Sequence, residues 1–181
     1  MAEGGPAPTA LNQLLNQVTL AKIRRSKELY PSARSAVLPS LWAVQDQLGY
    51  LPAEGLGAVA EELGIEPSEV EAVSTFYSMY FQHQPGRHFV QVCLNVSCGL
   101  RGADRLLRHL EQSLRVAQGG TTEDGAFTLE GTVECLGACG GAPMMQVDRL
   151  SYENLDAEGA DRVLAGIREQ ADGSSGAERH A

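Results

Sequence analysis

The feature that most constrains this chain is the spacing of its four cysteines. They stand as Cys93 and Cys98 in CLNVSC and as Cys135 and Cys139 in CLGAC, two close pairs with 36 residues between them. A fold that serves both pairs must bring two short loops, distant in sequence, to one place. Two thiolate clamps in one domain suit a single inorganic centre, and the sequence poses the question of which one.

Composition narrows the setting. With 181 residues, 43% of them hydrophobic, the chain is long enough to bury one or two cores. A formal charge of −9 argues against nucleic acid as a partner, which calls for a basic stripe. No apolar run reaches the roughly 18 residues of a membrane span, so no direct membrane insertion is expected. The opening MAEGGPAPTA lacks the basic start and apolar centre of a secretory signal. The expected compartment is the cytoplasm, where thiols stay reduced and paired cysteines serve as metal or redox ligands more often than as disulfides. Charge is unevenly spread: residues 51–80 carry six glutamates and no basic residue, against a net +2 over residues 1–50. Such a block fits a docking face or solvated helix faces.

Apolar periodicity divides the chain into an α+β arrangement. Residues 1–8 are expected to be a disordered tail. A helical bundle is expected over residues 9–82. Its first helix is capped by Thr9 and carries Leu11, Leu14, Leu15, Val18 and Ile23 at helical spacing. A second spans about 32–48, where Pro39 predicts either a kink or a late start. A third opens at Pro52 and stops at Gly64, and a fourth opens at Pro67 with Val70, Val73, Phe76 and Tyr77 inside. Over residues 83–170 the pattern changes to β-α-β-β-α, with one helix on each side of a small sheet. Strands are expected at 88–92, 127–129, 132–134 and 144–147, the last pairing with 151–155, and helices at 102–114 and from Asp156 to Gln170. Residues 171–181 are expected to be a second disordered tail.

Several motifs lead nowhere. Gly55-Leu56-Gly57-Ala58-Val59-Ala60 fits the dinucleotide fingerprint G-x-G-x-x-A, but no strand precedes it and it lies inside a helical segment. His83, His88, His109 and His180 are scattered, and none is placed as a base for a cysteine. Trp42, Phe76, Tyr77, Tyr80 and Phe81 suit core or interdomain packing better than a flavin shelf.

The cysteine pattern C-x4-C-x36-C-x3-C has four readings. Disulfides are disfavoured by compartment, and a thioredoxin-type dithiol needs C-x-x-C. Structural zinc tolerates two to four residues between ligands, so it stays open. A [2Fe–2S] cluster takes four thiolates, two on each iron, and suits two loops that each wrap one metal. Gly99, Gly137, Gly140 and Gly141 leave room and free N–H groups beside the sulfurs, and the helix from Gly102 points its positive end toward them. With Glu134 and Asp148 nearby, four thiolates would hold the potential below about −200 mV.

The stretches Thr75-Phe76-Tyr77-Ser78-Met79-Tyr80-Phe81, Gly86-Arg87-His88-Phe89-Val90-Gln91-Val92-Cys93 and Glu134-Cys135-Leu136-Gly137-Ala138-Cys139, with Ala142-Pro143-Met144, resemble the E-subunit family of bacterial NADH–quinone oxidoreductase, respiratory complex I. The resemblance runs from about residue 20 to 168. It implies a helical bundle followed by a thioredoxin-like domain that binds one [2Fe–2S] cluster, with Cys93 and Cys98 on one iron and Cys135 and Cys139 on the other. It also implies a flavin/NADH-binding partner subunit that carries FMN and the NADH site, a large iron–sulfur subunit as a second partner, and a peripheral place on the cytoplasmic face of the inner membrane. The implied role is single-electron transfer beside the flavin, as a subunit of an NADH dehydrogenase with no complete active site on this chain. Leu94, where relatives often have Thr, and the Gly140-Gly141 pair depart from the family pattern without removing a ligand. Related subunits of NAD-linked formate dehydrogenases or hydrogenases, a free thioredoxin-like ferredoxin, and a zinc-stabilised binding module are the competing readings.

Overall fold

The structure, a computed structural model, describes residues 14–173. The expectations for residues 1–8, for a cap at Thr9 and for Leu11 lie outside the described residues, as does the tail beyond Gly173. The chain divides into two compact units, Met1–Gln84 and Pro85–Ala181.

In the first unit the expected opening helix is interrupted. The Asn16 side chain accepts the Thr19 N–H at 2.8 Å and starts α1 (Gln17–Leu29), which buries Leu20 and Ile23 and leaves Val18 66% exposed. Pro39 goes with a late helix start. A 3-10 turn, Ala33–Ala36, precedes α2 (Val37–Leu48), so Pro39 falls in the first helical turn, where no N–H is needed. Helix α3 (Ala53–Leu63) follows Pro52 and ends on Gly64, and α4 (Pro67–Phe76) has Pro67 at its first position. Leu20, Ile23, Leu41, Val44, Val59, Leu63 and Val70 make the core of this unit. The G-x-G-x-x-A stretch lies within α3, with Gly55 buried against Val44 and Pro52.

Polar ties hold the segment after α4. Buried Gln45 donates to the Met79 carbonyl at 3.0 Å and accepts from the Phe81 N–H at 2.8 Å. The Tyr80 hydroxyl donates to the Leu38 carbonyl at 2.9 Å, and burial pushes its pKa up to about 12. The aromatic set divides accordingly. Tyr80 packs on Trp42 with ring centroids 5.6 Å apart, whereas Phe76 is 77% exposed and Tyr77 38%. Val70 and Ser74 mark the buried face of α4, and Phe76, two residues past Ser74, points away from it. The acidic block is partly matched within the unit: Glu62 takes a two-pronged contact from Arg24 at 2.9 and 2.8 Å, and Glu69 pairs with Arg34 at 3.2 Å.

The second unit holds a four-stranded sheet in the order β2-β1-β3-β4. Strand β1 (His88–Cys93) pairs in parallel with β2 (Phe127–Thr132) and antiparallel with β3 (Met145–Val147), which forms a hairpin with β4 (Leu150–Tyr152). Between β1 and β2 the chain forms a short helix α5 (Val96–Leu100) and then α6 (Ala103–Leu114), and the unit closes with α7 (Ala157–Gly173). Val90, Val92, Phe127, Leu129, Met145 and Val147 alternate onto one apolar face.

Three expectations change here. Helices α6 and α7 pack on each other, joined by His109 Nε2 and Asp161 Oδ2 at 2.8 Å, rather than on opposite sides of the sheet. Residues 127–129 and 132–134 are not two strands, because β2 runs unbroken through Gly131. A Cβ at Gly131 would lie 2.7 Å from the Leu107 side chain, so the glycine lets α6 approach the strand. The loop over residues 118–125 is tied to the sheet: Gly119 N donates to Leu129 O at 2.7 Å and Thr122 N to Phe127 O at 2.8 Å, laying this strip along the outer edge of β2. Helix α7 continues past Gln170 to Gly173.

Candidate metal centre

All four cysteines belong to the second unit. Cys93 is the last residue of β1, and the following residue, Leu94, still donates its N–H to Thr132 O at 2.7 Å, one link past the strand. Asn95 then caps α5, its side chain accepting the Val96 N–H at 2.9 Å, and α5 carries Cys98. Both thiols of this first clamp are buried, each 2% exposed. The second clamp follows β2 on an irregular loop: Cys135 is exposed, and Cys139 opens a 3-10 turn, Cys139–Gly141, that is also exposed at its start. The chain then passes a cis Ala142–Pro143 bond and enters β3.

Because β1 and β2 run parallel, Cys93 and Thr132 stand opposite each other and both strands deliver their clamps at the same end of the sheet. Three successive carbonyls past that point accept from the first clamp. Thr132 O accepts from Leu94 N, Val133 O from Asn95 Nδ2 at 2.7 Å, and Glu134 O from the Cys93 thiol at 3.8 Å. The Sγ atoms of Cys135 and Cys139 lie 3.3 Å apart. That separation is about 0.5 Å short of the ~3.8 Å edge of a tetrahedron with 2.3 Å metal–sulfur bonds.

The thiols influence one another across the pairs. Burial first, and then the neighbouring Cys93 thiol, pushes the Cys98 pKa up to about 11. Cys135 is held below the usual thiol range, first by the Gly137 N–H and then by Cys139. Cys139 is raised, above all by Cys135, while the Ser97 hydroxyl, reaching over from α5, favours its thiolate. Cys93 favours the neutral Cys98 thiol and the Cys135 thiolate, so the first clamp acts on the second.

Four thiols in two pairs make a donor set that suits one tetrahedral ion or a [2Fe–2S] cluster with two thiolates on each iron. Hydrogen-bond donors stand ready for anionic sulfur in Gly137 N–H and the Ser97 hydroxyl. Gly137 holds φ +89°, a conformation in which a side chain is strained, so the donating loop depends on glycine there.

A family model described as thioredoxin-like [2Fe-2S] ferredoxin matches residues 23–168. The chain belongs to this family. Its cofactor is one [2Fe–2S] cluster. Among curated relatives, the second NADH-quinone oxidoreductase E-subunit of Rhizobium meliloti is 46% identical over 147 residues, which cover 81% of this chain and 87% of the relative. The NADH-quinone oxidoreductase E-subunit of Salmonella typhimurium is 38% identical over 142 residues, 78% of this chain and 85% of the relative. An NAD+-reducing [NiFe]-hydrogenase solved in the H2-reduced state matches with a TM-score of 0.62 and 25% identity over 72% of this chain. The chain spans only 22% of that hydrogenase chain.

Two expectations about the site of this family member change. Asp148 is not beside the thiols: it binds His88 Nδ1 at 2.9 Å and Phe89 N at 3.0 Å, near the start of β1 and ~13 Å of strand away from Cys93. The helix adjoining the sulfurs is α5 rather than the one that follows Gly102, since Cys98 sits inside α5 and α6 begins only at Ala103. Among the glycines, Gly140 faces open space and a Cβ at Gly99 would make only an ordinary contact, so neither is demanded by close packing of the chain. Asn95 and Ser97 are site residues that cysteine spacing does not point to. Asn95 is the kind of residue that starts a helix, and that signal stands in the sequence just before Cys98. His88 and His109 sit in Asp-paired positions away from the cysteines, and His180 lies outside the described residues.

Proposed function

We propose that this chain is the electron-transfer subunit of an NADH-oxidising complex, with Cys93 and Cys98 holding one iron of the [2Fe–2S] cluster and Cys135 and Cys139 the other. The observation that carries the reading is the delivery of two thiol pairs to one end of the sheet, tied together through three successive carbonyls. When bound, such a cluster takes up and releases one electron at a time. The chain supplies the rest. It buries the first thiol pair, offers Gly137 N–H and the Ser97 hydroxyl to the second, and leaves that second pair at the surface, where a redox partner can approach.

The partners fitting this reading are a flavin/NADH-binding subunit that carries FMN and a large iron–sulfur subunit. Names and coverage of the curated relatives favour NADH–quinone oxidoreductase as the host complex. No helix among the described residues is long and apolar enough to cross a membrane. A peripheral place on the cytoplasmic face of the inner membrane, held through the complex, belongs to the same proposal. A diaphorase subunit of a hydrogenase is the second reading, favoured by the hydrogenase match.

Anaerobic purification with associated chains, followed by iron, sulfide and zinc analysis and electron paramagnetic resonance after reduction, tests the proposal. Two irons and two sulfides per chain with a reduced-cluster signal are expected. Zinc in their place overturns the cluster assignment, and a hydrogenase chain among the co-purifying proteins selects the second reading of the complex.

A further inference from the structure

We infer that Asn95 is a positioning residue that latches the two cysteine clamps together for the cluster, an inference that rests on the ligand assignment above. Its side chain does two jobs at once. Oδ1 accepts the Val96 N–H at 2.9 Å and caps α5, the helix that carries Cys98. Nδ2 donates to the Val133 carbonyl at 2.7 Å, two residues before Cys135. One amide therefore fixes the helix of the first clamp and grips the chain that enters the second.

The neighbouring links show why this amide matters. Of the three donors that meet the carbonyls of Thr132, Val133 and Glu134, Leu94 N belongs to the backbone and extends the strand pairing. The Cys93 thiol is the third donor, to Glu134 O. A cysteine must lose its proton to ligate a metal, so that link disappears when the cluster is loaded. The Asn95 amide needs no thiol proton and survives loading. It joins the clamps where Cys93 and Cys98 are buried in the core but Cys135 and Cys139 are on an exposed loop with few other ties.

Two variants separate the latch from the cap. Asn95→Ser keeps an oxygen to accept the Val96 N–H but is too short to span to Val133 as well. Asn95→Asp keeps the size and the cap, yet its carboxylate cannot donate to a carbonyl. The full chain, loaded anaerobically with iron and sulfide, is exposed to a chelator below its melting temperature, and loss of the visible cluster absorption is timed. Both variants are expected to release the cluster roughly tenfold or more faster than the unaltered chain, as loss of a supporting hydrogen bond to a metal site does. When cluster-free they lose one hydrogen bond and are expected to melt only slightly below the unaltered chain. His109→Ala, which breaks a helix–helix contact away from the clamps, should lower the melting temperature without speeding release. Release from both Asn95 variants at the unaltered rate overturns the inference alone. An unaltered chain that takes up no iron and sulfide overturns the cluster assignment and the latch with it.

Discussion

The two clamps use the same ligand type in opposite surroundings. Cys93 and Cys98 come from the end of a central strand and a capped helix, and both are buried. Cys135 and Cys139 sit on a loop with no regular structure before the second of them, and both are exposed. The difference separates two tasks. A buried pair is pre-placed by the core, so its geometry exists before any metal arrives, while burial disfavours the thiolate, as the raised Cys98 pKa records. The exposed pair is open to a partner and its first thiol, Cys135, ionises readily, but it relies on local donors such as Gly137 N–H and on cross-links to the first clamp.

That contrast can be broken most directly at the ligands. Cys98→Ser and Cys135→Ser should each abolish the reduced-cluster signal and the bound iron. They should differ in the cluster-free chain, where Cys98→Ser leaves a hydroxyl in an apolar setting and costs roughly 1–3 kcal/mol, while Cys135→Ser leaves the melting temperature unchanged. Equal losses of stability would mean that the clamps are not built differently. Alkylation sharpens the same point. In the reduced, cluster-free chain, iodoacetamide should modify Cys135 first, Cys139 more slowly because its thiolate is disfavoured, and Cys93 and Cys98 only after denaturation, which peptide mass spectrometry resolves.

A smaller effect is expected from Ser97→Ala. Its hydroxyl favours the Cys139 thiolate, so removing it should lower the cluster potential by about 40 mV, the one-electron equivalent of about 1 kcal/mol, in a redox titration. The smallest effect belongs to Glu62→Gln, a change in the helical unit remote from either clamp in sequence. Arg24 holds the Glu62 pKa below the ordinary carboxylate value, so this pair adds stability above that value and loses it as pH falls through the depressed one. The variant should melt slightly below the unaltered chain at neutral pH, with the gap closing below about pH 4, and should leave the potential untouched.

The clamps were legible in the sequence because cysteine identity and spacing limit the chemistry before any fold is known. So were the four helices of the first unit, whose stops at Gly49 and Gly64 are both glycines with positive φ. What could not be read depended on register. The Asn95–Val133 link exists only because β1 and β2 run parallel with Cys93 opposite Thr132, and nothing local to either stretch announces that alignment. Gly131 looked like a break between two strands, yet it serves the approach of α6, a neighbour 24 residues earlier in the chain at Leu107. Phe76 had the right period for burial but stands at the last helical turn, past the reach of the core. Asp148 seemed close to the thiols because β3 begins near Cys139 in sequence, whereas the strand carries it to the far end of β1.

The strip at residues 118–122 along the outer edge of β2 has a consequence for assembly. A polypeptide released before its partners arrive is a free chain, and an open strand edge on it is a template for pairing with another copy. Here the carbonyls of Phe127 and Leu129 are already occupied by Thr122 N and Gly119 N, and the Leu129 N–H by Gly120 O. Self-association by strand addition is therefore closed off along this border. Through that wait the second thiol pair stays exposed and accessible to metal.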